Sequence, residues 1–358
     1  MNAKLKKFIQ YTVSILLALV LLYFSFRGVK WADFWDALKA CKWEFVILSM
    51  AFGALAFYLR ALRWRELLLP IDPKTGRIST FNAINISYIV NLVLPRVGEF
   101  ARCGIITANS SMSEPDENGR THRLASLDKV LGTVALERSW DLVTLIILLV
   151  VFMFFGWARY GDFFNDNIMK PAMGKMTWQK VLIIILITLA VIALIWAIVK
   201  VGRRNRKVGK VSQFFNGIWT GIGSCMKMKG AWKFFATTIG IWTCYWMMSY
   251  TILLAVQGMD LTKVSADLAG SIDKLSGLNG VDGLFLMLAG SLASIVPVPG
   301  GFGAFHYIVA LALQTIYGIP FEVGIIFATL SHESQVVNQI ICGGISYIAE
   351  AVKQRKAK

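Results

Sequence analysis

Arg96, Glu99 and Arg102 stand at successive three-residue spacings, which puts all three on one face of a helix. They follow Pro95, flank Gly98, and lie in otherwise apolar sequence. A second set comes far along the chain. His306 follows Pro297-Val298-Pro299-Gly300-Gly301-Phe302-Gly303, and Ser331, His332, Gln335, Asn338 and Gln339 form a polar stripe with Glu333 beside it. A third set, Glu137, Arg138 and Asp141, opens an apolar span with its two acids four residues apart. Ionisable groups at membrane depth are costly, so they face a cavity or a charged partner.

Two kinds of chemistry suit these residues. An arginine beside free backbone N–H groups at a half-helix start attracts a phosphate. Acids and histidines nearby balance charge or carry protons. The plainer alternative is that the groups neutralise one another and lock helices together, and it weighs most for Glu137 and Arg138. For His306 a proton relay, a headgroup contact and a packing role stay equally open. Arg60 and Arg63 read as interface anchors that snorkel to water.

Catalytic patterns are missing. His332-Glu333-Ser334-Gln335-Val336 begins like a zinc-protease helix but lacks the second histidine at 336. There is no nucleophile elbow, P-loop or dinucleotide fingerprint. Cys41, Cys103, Cys225, Cys244 and Cys342 are scattered without metal spacing and read as small core residues. The sequence therefore predicts no catalytic residue, no metal ligand set, no cofactor and no enzyme.

The elements that carry these residues are broken helices. Two prolines and three glycines between 297 and 303 cannot sit in a continuous helix. The apolar flanks, 284–296 and 307–316, are each shorter than the roughly 20 helical residues a bilayer needs. Two half-helices meeting at a broken tip are predicted. Such backbone is tolerated at membrane depth only inside protein or beside a water-filled cavity, and there it marks a binding site. Pro299, Gly300, Gly301 and Gly303 thus join the candidate residues. The stretch 89–100 matches 295–305 with one gap near the proline, which predicts a first broken pair over 81–94 and 97–108.

At 358 residues and 56% hydrophobic, the chain is too apolar for a soluble domain. Full spans are predicted at 8–26, 45–62, 139–157, 181–199, 232–256 and 323–349. Surface-lying helices are predicted at 28–42 and 213–228, and a polar loop at 109–120. The net charge of +16 reflects basic span ends rather than nucleic-acid binding. Lys200, Arg203, Arg204, Arg206, Lys207 and Lys210 place one end in the cytoplasm, as do Lys353, Arg355, Lys356 and Lys358. Asp260, Asp267, Asp273 and Asp282 place their loop outside. The fold class is an all-α polytopic membrane protein, a single integral domain over 1–358. It has about six full transmembrane helices plus two broken or re-entrant hairpins. The halves 43–157 and 231–349 form an inverted repeat joined by 158–230, the build of many secondary transporters.

At Asn91-x-x-Leu94-Pro95-Arg96-x-Gly98-Glu99-x-x-Arg102, then Glu137-Arg138-x-x-Asp141, then Pro297-x-Pro299-Gly300-Gly301-x-Gly303, the sequence resembles the lysylphosphatidylglycerol synthase transmembrane region, or flippase-like family. The resemblance covers about residues 8–350. It implies lipid translocation, the role associated with the membrane portion of aminoacyl-phosphatidylglycerol synthases. The aminoacyl-transfer domain of those enzymes finds no room before Lys358, so transfer is not expected. One departure stands out: the family often has a glutamate where this chain has His306, which argues against a mechanism needing a second carboxylate there.

The function expected is translocation of a phospholipid or glycolipid headgroup across the cytoplasmic (inner) membrane, with both termini in the cytoplasm. Arg96 and Arg102 would contact an anionic headgroup. Glu99, Glu137 and His306 would balance charge or carry protons. Two other classes stay open: a small-solute or ion transporter of the same build, and a non-transporting accessory to a lipid or envelope biosynthetic enzyme. Self-association is left open as well.

Overall fold

A chain this apolar must satisfy its backbone polar groups within each segment, which favours helices throughout. The structure, a computed structural model, describes residues 3–115, 121–166, 170, 228–293, 296 and 298–356. Helices dominate the described residues. Trp43–Leu68, Leu127–Gly156 and Ala231–Gln257 are each long and apolar enough to cross a bilayer. A fourth crossing is added if Ile15–Phe26 and Trp31–Ala40, bent by 85° at a short break, make one span. This is a multi-pass membrane protein. Helix Trp31–Ala40 occupies the place predicted for a surface-lying helix over 28–42. The predicted span 181–199, the basic run from Lys200 to Lys210 and the amphipathic segment 213–228 lie outside the described residues.

Contacts divide the chain into two units. The first takes in Met1–Glu66, Gly76–Ile105 and Gly230–Lys358. Both broken helix pairs are here: Arg77–Val93 with the start of Gly98–Asn109, and Gly280–Ala293 with Ala304–Tyr317. The arms of the second pair are 14 residues each, about 21 Å of helix and short of a full crossing. The closing helix Phe321–Lys356 packs against an arm of each pair, Ala304–Tyr317 and Arg77–Val93. Small residues permit this close approach. A Cβ at Gly324 would fall 2.8 Å from Ala310 Cα, and one at Gly343 would fall 3.0 Å from the Asn85 carbonyl.

Two expectations about polar residues in this unit are corrected. Arg60 and Arg63 do not snorkel; they are 7% and 0% exposed. Arg60 Nη1 donates to the Tyr245 hydroxyl at 2.8 Å, and the Arg63 guanidinium lies 5.7 Å from the Phe234 ring centroid. A neighbouring helix therefore supplies a hydrogen-bond acceptor in place of water and an aromatic face that water lacks. Asp282, counted among the loop acids, lies instead in the first turn of helix Gly280–Ala293 and is fully buried. It accepts from the Asn279 N–H at 2.8 Å, while Asn279 Oδ1 accepts from the Val281 N–H at 2.9 Å. These bonds cap helix Gly280–Ala293 reciprocally. The Tyr317 hydroxyl also donates to Asp282 at 2.8 Å, tying the two arms of the second pair together.

The second unit comprises Leu67–Thr75 and Ile106–Lys229. The predicted loop over 109–120 contains a short strand instead. Ser113–Pro115 pairs antiparallel with Thr121–Arg123, which satisfies backbone groups a bare loop would leave to water. Ser110 Oγ donates to Asp72 Oδ2 at 2.7 Å. Helix Leu127–Phe164 exposes Leu142, Ile146, Val150 and Phe154 in one row, with Val143, Ile147, Val151 and Phe155 beside it. Fourfold spacing puts each row on one helical face, the face a lipid-contacting span presents.

Cys41 follows helix Trp31–Ala40, outside the apolar spans, and burial, aided by the Glu44 charge, pushes its thiol up to about 11. At pH 7.5 its thiolate fraction is about a hundredfold below that of an ordinary cysteine. Maleimide is therefore expected to leave Cys41 unlabelled in the native protein and to label it after unfolding in SDS. Rapid native labelling, read by mass spectrometry, would contradict this environment.

Candidate functional site

The first broken tip is built from a proline and a tight approach. Helix Arg77–Val93 stops before Pro95, because the ring removes an N–H and disfavours helical geometry at the residue before it. The next helix starts at Gly98. Between them Arg96 takes a φ of 64°, the one positive φ among the described residues other than glycine. That conformation costs about 1 kcal/mol or more for a residue with a Cβ. Asn91 closes the tip from across the break. Its Oδ1 accepts from the Gly98 N–H at 2.8 Å, and its Nδ2 donates to Glu99 Oε2 at 3.3 Å. A Cβ on Gly98 would lie 2.0 Å from the Ser87 carbonyl oxygen, so this approach requires glycine.

The three residues expected on one helical face are therefore split. Arg96 lies in the turn, exposed, and is not helical. Glu99 is half-buried in the first turn, where its negative charge suits the helix N-terminus. Arg102 is 1% exposed, with its guanidinium 4.5 Å from the Trp64 ring centroid. The proline and the left-handed turn break the three-residue periodicity before it starts. The Gly98 N–H, expected to be free for an anion, is already taken by Asn91. Of the two arginines, Arg96 is the one open to a ligand.

The second tip is made by glycines. Pro299 opens a single turn, Pro299–Gly301, and Gly300, Gly301 and Gly303 have φ of 56°, 83° and 78°. Helix Ala304–Tyr317 starts immediately afterwards. A Cβ at Gly303 would lie 2.6 Å from Leu21 Cβ and 2.7 Å from the Leu22 nitrogen, so the first helix rests on glycine backbone. Ser25 Oγ donates to the Gly303 carbonyl at 3.3 Å.

Three predicted residues converge on this tip. His332 Nε2 lies 2.9 Å from the Gly300 carbonyl, and its Nδ1 lies 2.9 Å from Glu333 Oε1. The same oxygen is 3.5 Å from Nε2 of His306. His306 is 1% exposed and packs against Phe26, with ring centroids 5.4 Å apart. Gln335 and Asn338 of the polar stripe turn elsewhere. Asn338 Nδ2 donates to the Met50 carbonyl at 2.6 Å, and Gln335 Nε2 to the Ser49 carbonyl at 3.4 Å. Those residues join two helices, while His332 reaches the glycine turn and Glu333 meets both histidines.

The two tips meet. Helix Arg77–Val93 packs against the turn Pro299–Gly301, and Leu92 Cδ2 would lie 3.1 Å from a Cβ built on Gly300. The third predicted set belongs to the other unit. There Glu137 is fully buried and Arg138 Nη1 lies 3.9 Å from Asp141 Oδ2.

Asn91 opens the first motif of the resemblance, which assigns it no role; its place closing the tip comes from the fold. Trp64 and Phe26 had no sequence signal, since each meets its partner only through the fold.

A family model described as Lysylphosphatidylglycerol synthase TM region matches residues 11–343, nearly the whole chain. Neither a curated protein nor a solved structure matches.

Proposed function

Starting from the chain's membership of the lysylphosphatidylglycerol synthase TM-region family, we propose that it moves a phospholipid or glycolipid headgroup across the membrane along its two broken tips. The observation that carries this reading is the contact between helix Arg77–Val93 and the turn Pro299–Gly301, with exposed Arg96 in the left-handed turn that follows that helix. Broken helices at membrane depth line binding sites rather than lipid. A guanidinium on such a turn recognises phosphate through paired N–H donors. An anionic headgroup is therefore the substrate class, with Arg96 as its first contact. Glu99 balances the arginine charge, and buried Arg102 holds the helix behind it. In this reading six full spans and two re-entrant hairpins form an inverted repeat, with both termini cytoplasmic in the cytoplasmic membrane. The protein acts as a transporter, with no chemical step.

Photo-crosslinking tests headgroup contact. An anionic phospholipid carrying a photoreactive headgroup is expected to label peptides spanning 94–100 and 298–306. Arg96→Ala should reduce the yield about tenfold, the loss of one charge-assisted contact. Lys39→Ala, at an exposed lysine paired with Asp36, should leave it unchanged. Labelling that spreads over the apolar spans and ignores Arg96 would count against a headgroup site. It would favour the solute carrier or the accessory role.

A further inference from the structure

We propose that His306 Nε2, His332 Nδ1 and Glu333 Oε1 form a three-ligand site for a divalent transition metal of the Zn²⁺ class at the second broken tip. The side-chain ligand atoms of these residues all lie within 4.8 Å of one another. The Nδ1–Oε1 separation of 2.9 Å and the Nε2–Oε1 separation of 3.5 Å bracket the roughly 3.4 Å edge of a tetrahedron with bonds of about 2.05 Å. Two imidazoles and one carboxylate are a ligand set that zinc takes in open, three-ligand sites.

The hydrogens at His332 favour a cation here. The Gly300 carbonyl can only accept, so the bond at 2.9 Å places a proton on His332 Nε2. In the neutral ring Nδ1 then presents a lone pair, and it faces a carboxylate oxygen 2.9 Å away. Two acceptors at that distance repel unless a cation sits between them. The bond to the carbonyl is also the outer-shell contact that fixes the ring orientation of metal-ligating histidines. His306 points the same way. Its Nε2, the proposed ligand atom, meets Glu333 only at the long limit of a hydrogen bond, 3.5 Å. A metal would draw that nitrogen in; a lone proton between His332 and Glu333 would leave it where it is.

The ligand set differs from the zinc-protease pattern that His332-Glu333 begins: with valine at 336, the second imidazole comes from His306 across the tip, and Glu333 is a ligand rather than a general base. Glu333 remains 39% exposed, which leaves a route for the ion and an open coordination position. Bound metal would pin the closing helix Phe321–Lys356 to the left-handed glycine turn. This inference does not depend on lipid movement.

The test uses the full chain in detergent, freed of any affinity tag and stripped with chelator. Titration with Co²⁺ is expected to produce the visible d–d absorption of a low-coordinate nitrogen–oxygen site. One equivalent of Zn²⁺ should survive gel filtration and raise the thermal midpoint. His306→Asn and Glu333→Gln should each weaken retention by at least about tenfold, while Arg96→Ala retains one equivalent. Wild type that keeps no metal and shows no Co²⁺ band would overturn the proposal and leave a shared proton as the bridging cation. Equal retention by wild type, His306→Asn and Glu333→Gln would overturn it too. Variants that fail to stay monodisperse are replaced by His332→Gln, which keeps a polar group toward the Gly300 carbonyl and is expected to lose the Co²⁺ band.

Discussion

Gly98→Ala is expected to destabilise the protein by about 3 kcal/mol, chiefly by forcing the first hairpin open. The added methyl would lie 2.0 Å from the Ser87 carbonyl oxygen and 2.7 Å from Asn91 Oδ1. Ser87 is inside helix Arg77–Val93, so its carbonyl cannot retreat without bending that helix. Asn91 could swing away, but that breaks the bond that caps the second arm, a further loss of about 1 kcal/mol. The contrast is Gly104→Ala, in the same arm, where nothing lies within 4 Å of the new atom. There alanine should be neutral or stabilising by up to about 1 kcal/mol, since glycine is the weaker helix former. Thermal unfolding in detergent compares the two. Equal midpoints would mean that the tight approach at Gly98 is absent.

The second large effect is expected at Gly303. Alanine there meets two penalties at once. A φ of 78° with ψ of −49° lies where residues with a Cβ rarely go, a cost of about 1–3 kcal/mol. The methyl would also sit 2.6 Å from Leu21 Cβ and 2.7 Å from the Leu22 nitrogen, which displaces helix Ala3–Phe26 for another 1–3 kcal/mol or so. Gly318→Ala separates the two terms. Its φ is 62° but its surroundings are open, so only backbone strain of about 1 kcal/mol applies. Gly303→Ala should therefore unfold well below Gly318→Ala. If the two variants melted together, the first helix would not rest on the glycine tip.

These two positions also show how far the sequence reaches. The dense prolines and glycines at 297–303 and the Pro95-Arg96-x-Gly98 pattern announce broken helices, because no continuous helix tolerates them. Both breaks fall where they are predicted. Helical periodicity, by contrast, misplaces Arg96. Counting in threes assumes that the helix already exists at 96, whereas the left-handed turn delays it to Gly98. Arg60 and Arg63 are misjudged for a related reason. Their position at a span end looks watery in one dimension, but Tyr245 and Phe234 from another helix enclose them. The convergence of His306 on His332 and Glu333 has no linear signature, since 26 positions separate the first two (332 − 306). Only the packing of Ala304–Tyr317 against Phe321–Lys356 brings them together. Asp282 and Tyr317 meet by a similar long-range contact.

Lipid exchange measured after reconstitution tests translocation most directly. Vesicles containing headgroup-labelled anionic lipid would be compared with wild type, Arg96→Ala and Glu99→Gln, with and without a pH gradient. Wild type is expected to exchange the anionic lipid, and Arg96→Ala to slow it about tenfold. Glu99→Gln should slow it too, because it removes the carboxylate charge that accepts from Asn91 at the first tip. A response to the gradient would mark proton-coupled pumping, and indifference to it would mark scrambling. Exchange by wild type of none of the anionic, zwitterionic or glycosylated lipids, or equal rates in wild type and Arg96→Ala, would contradict a headgroup pathway between the two tips.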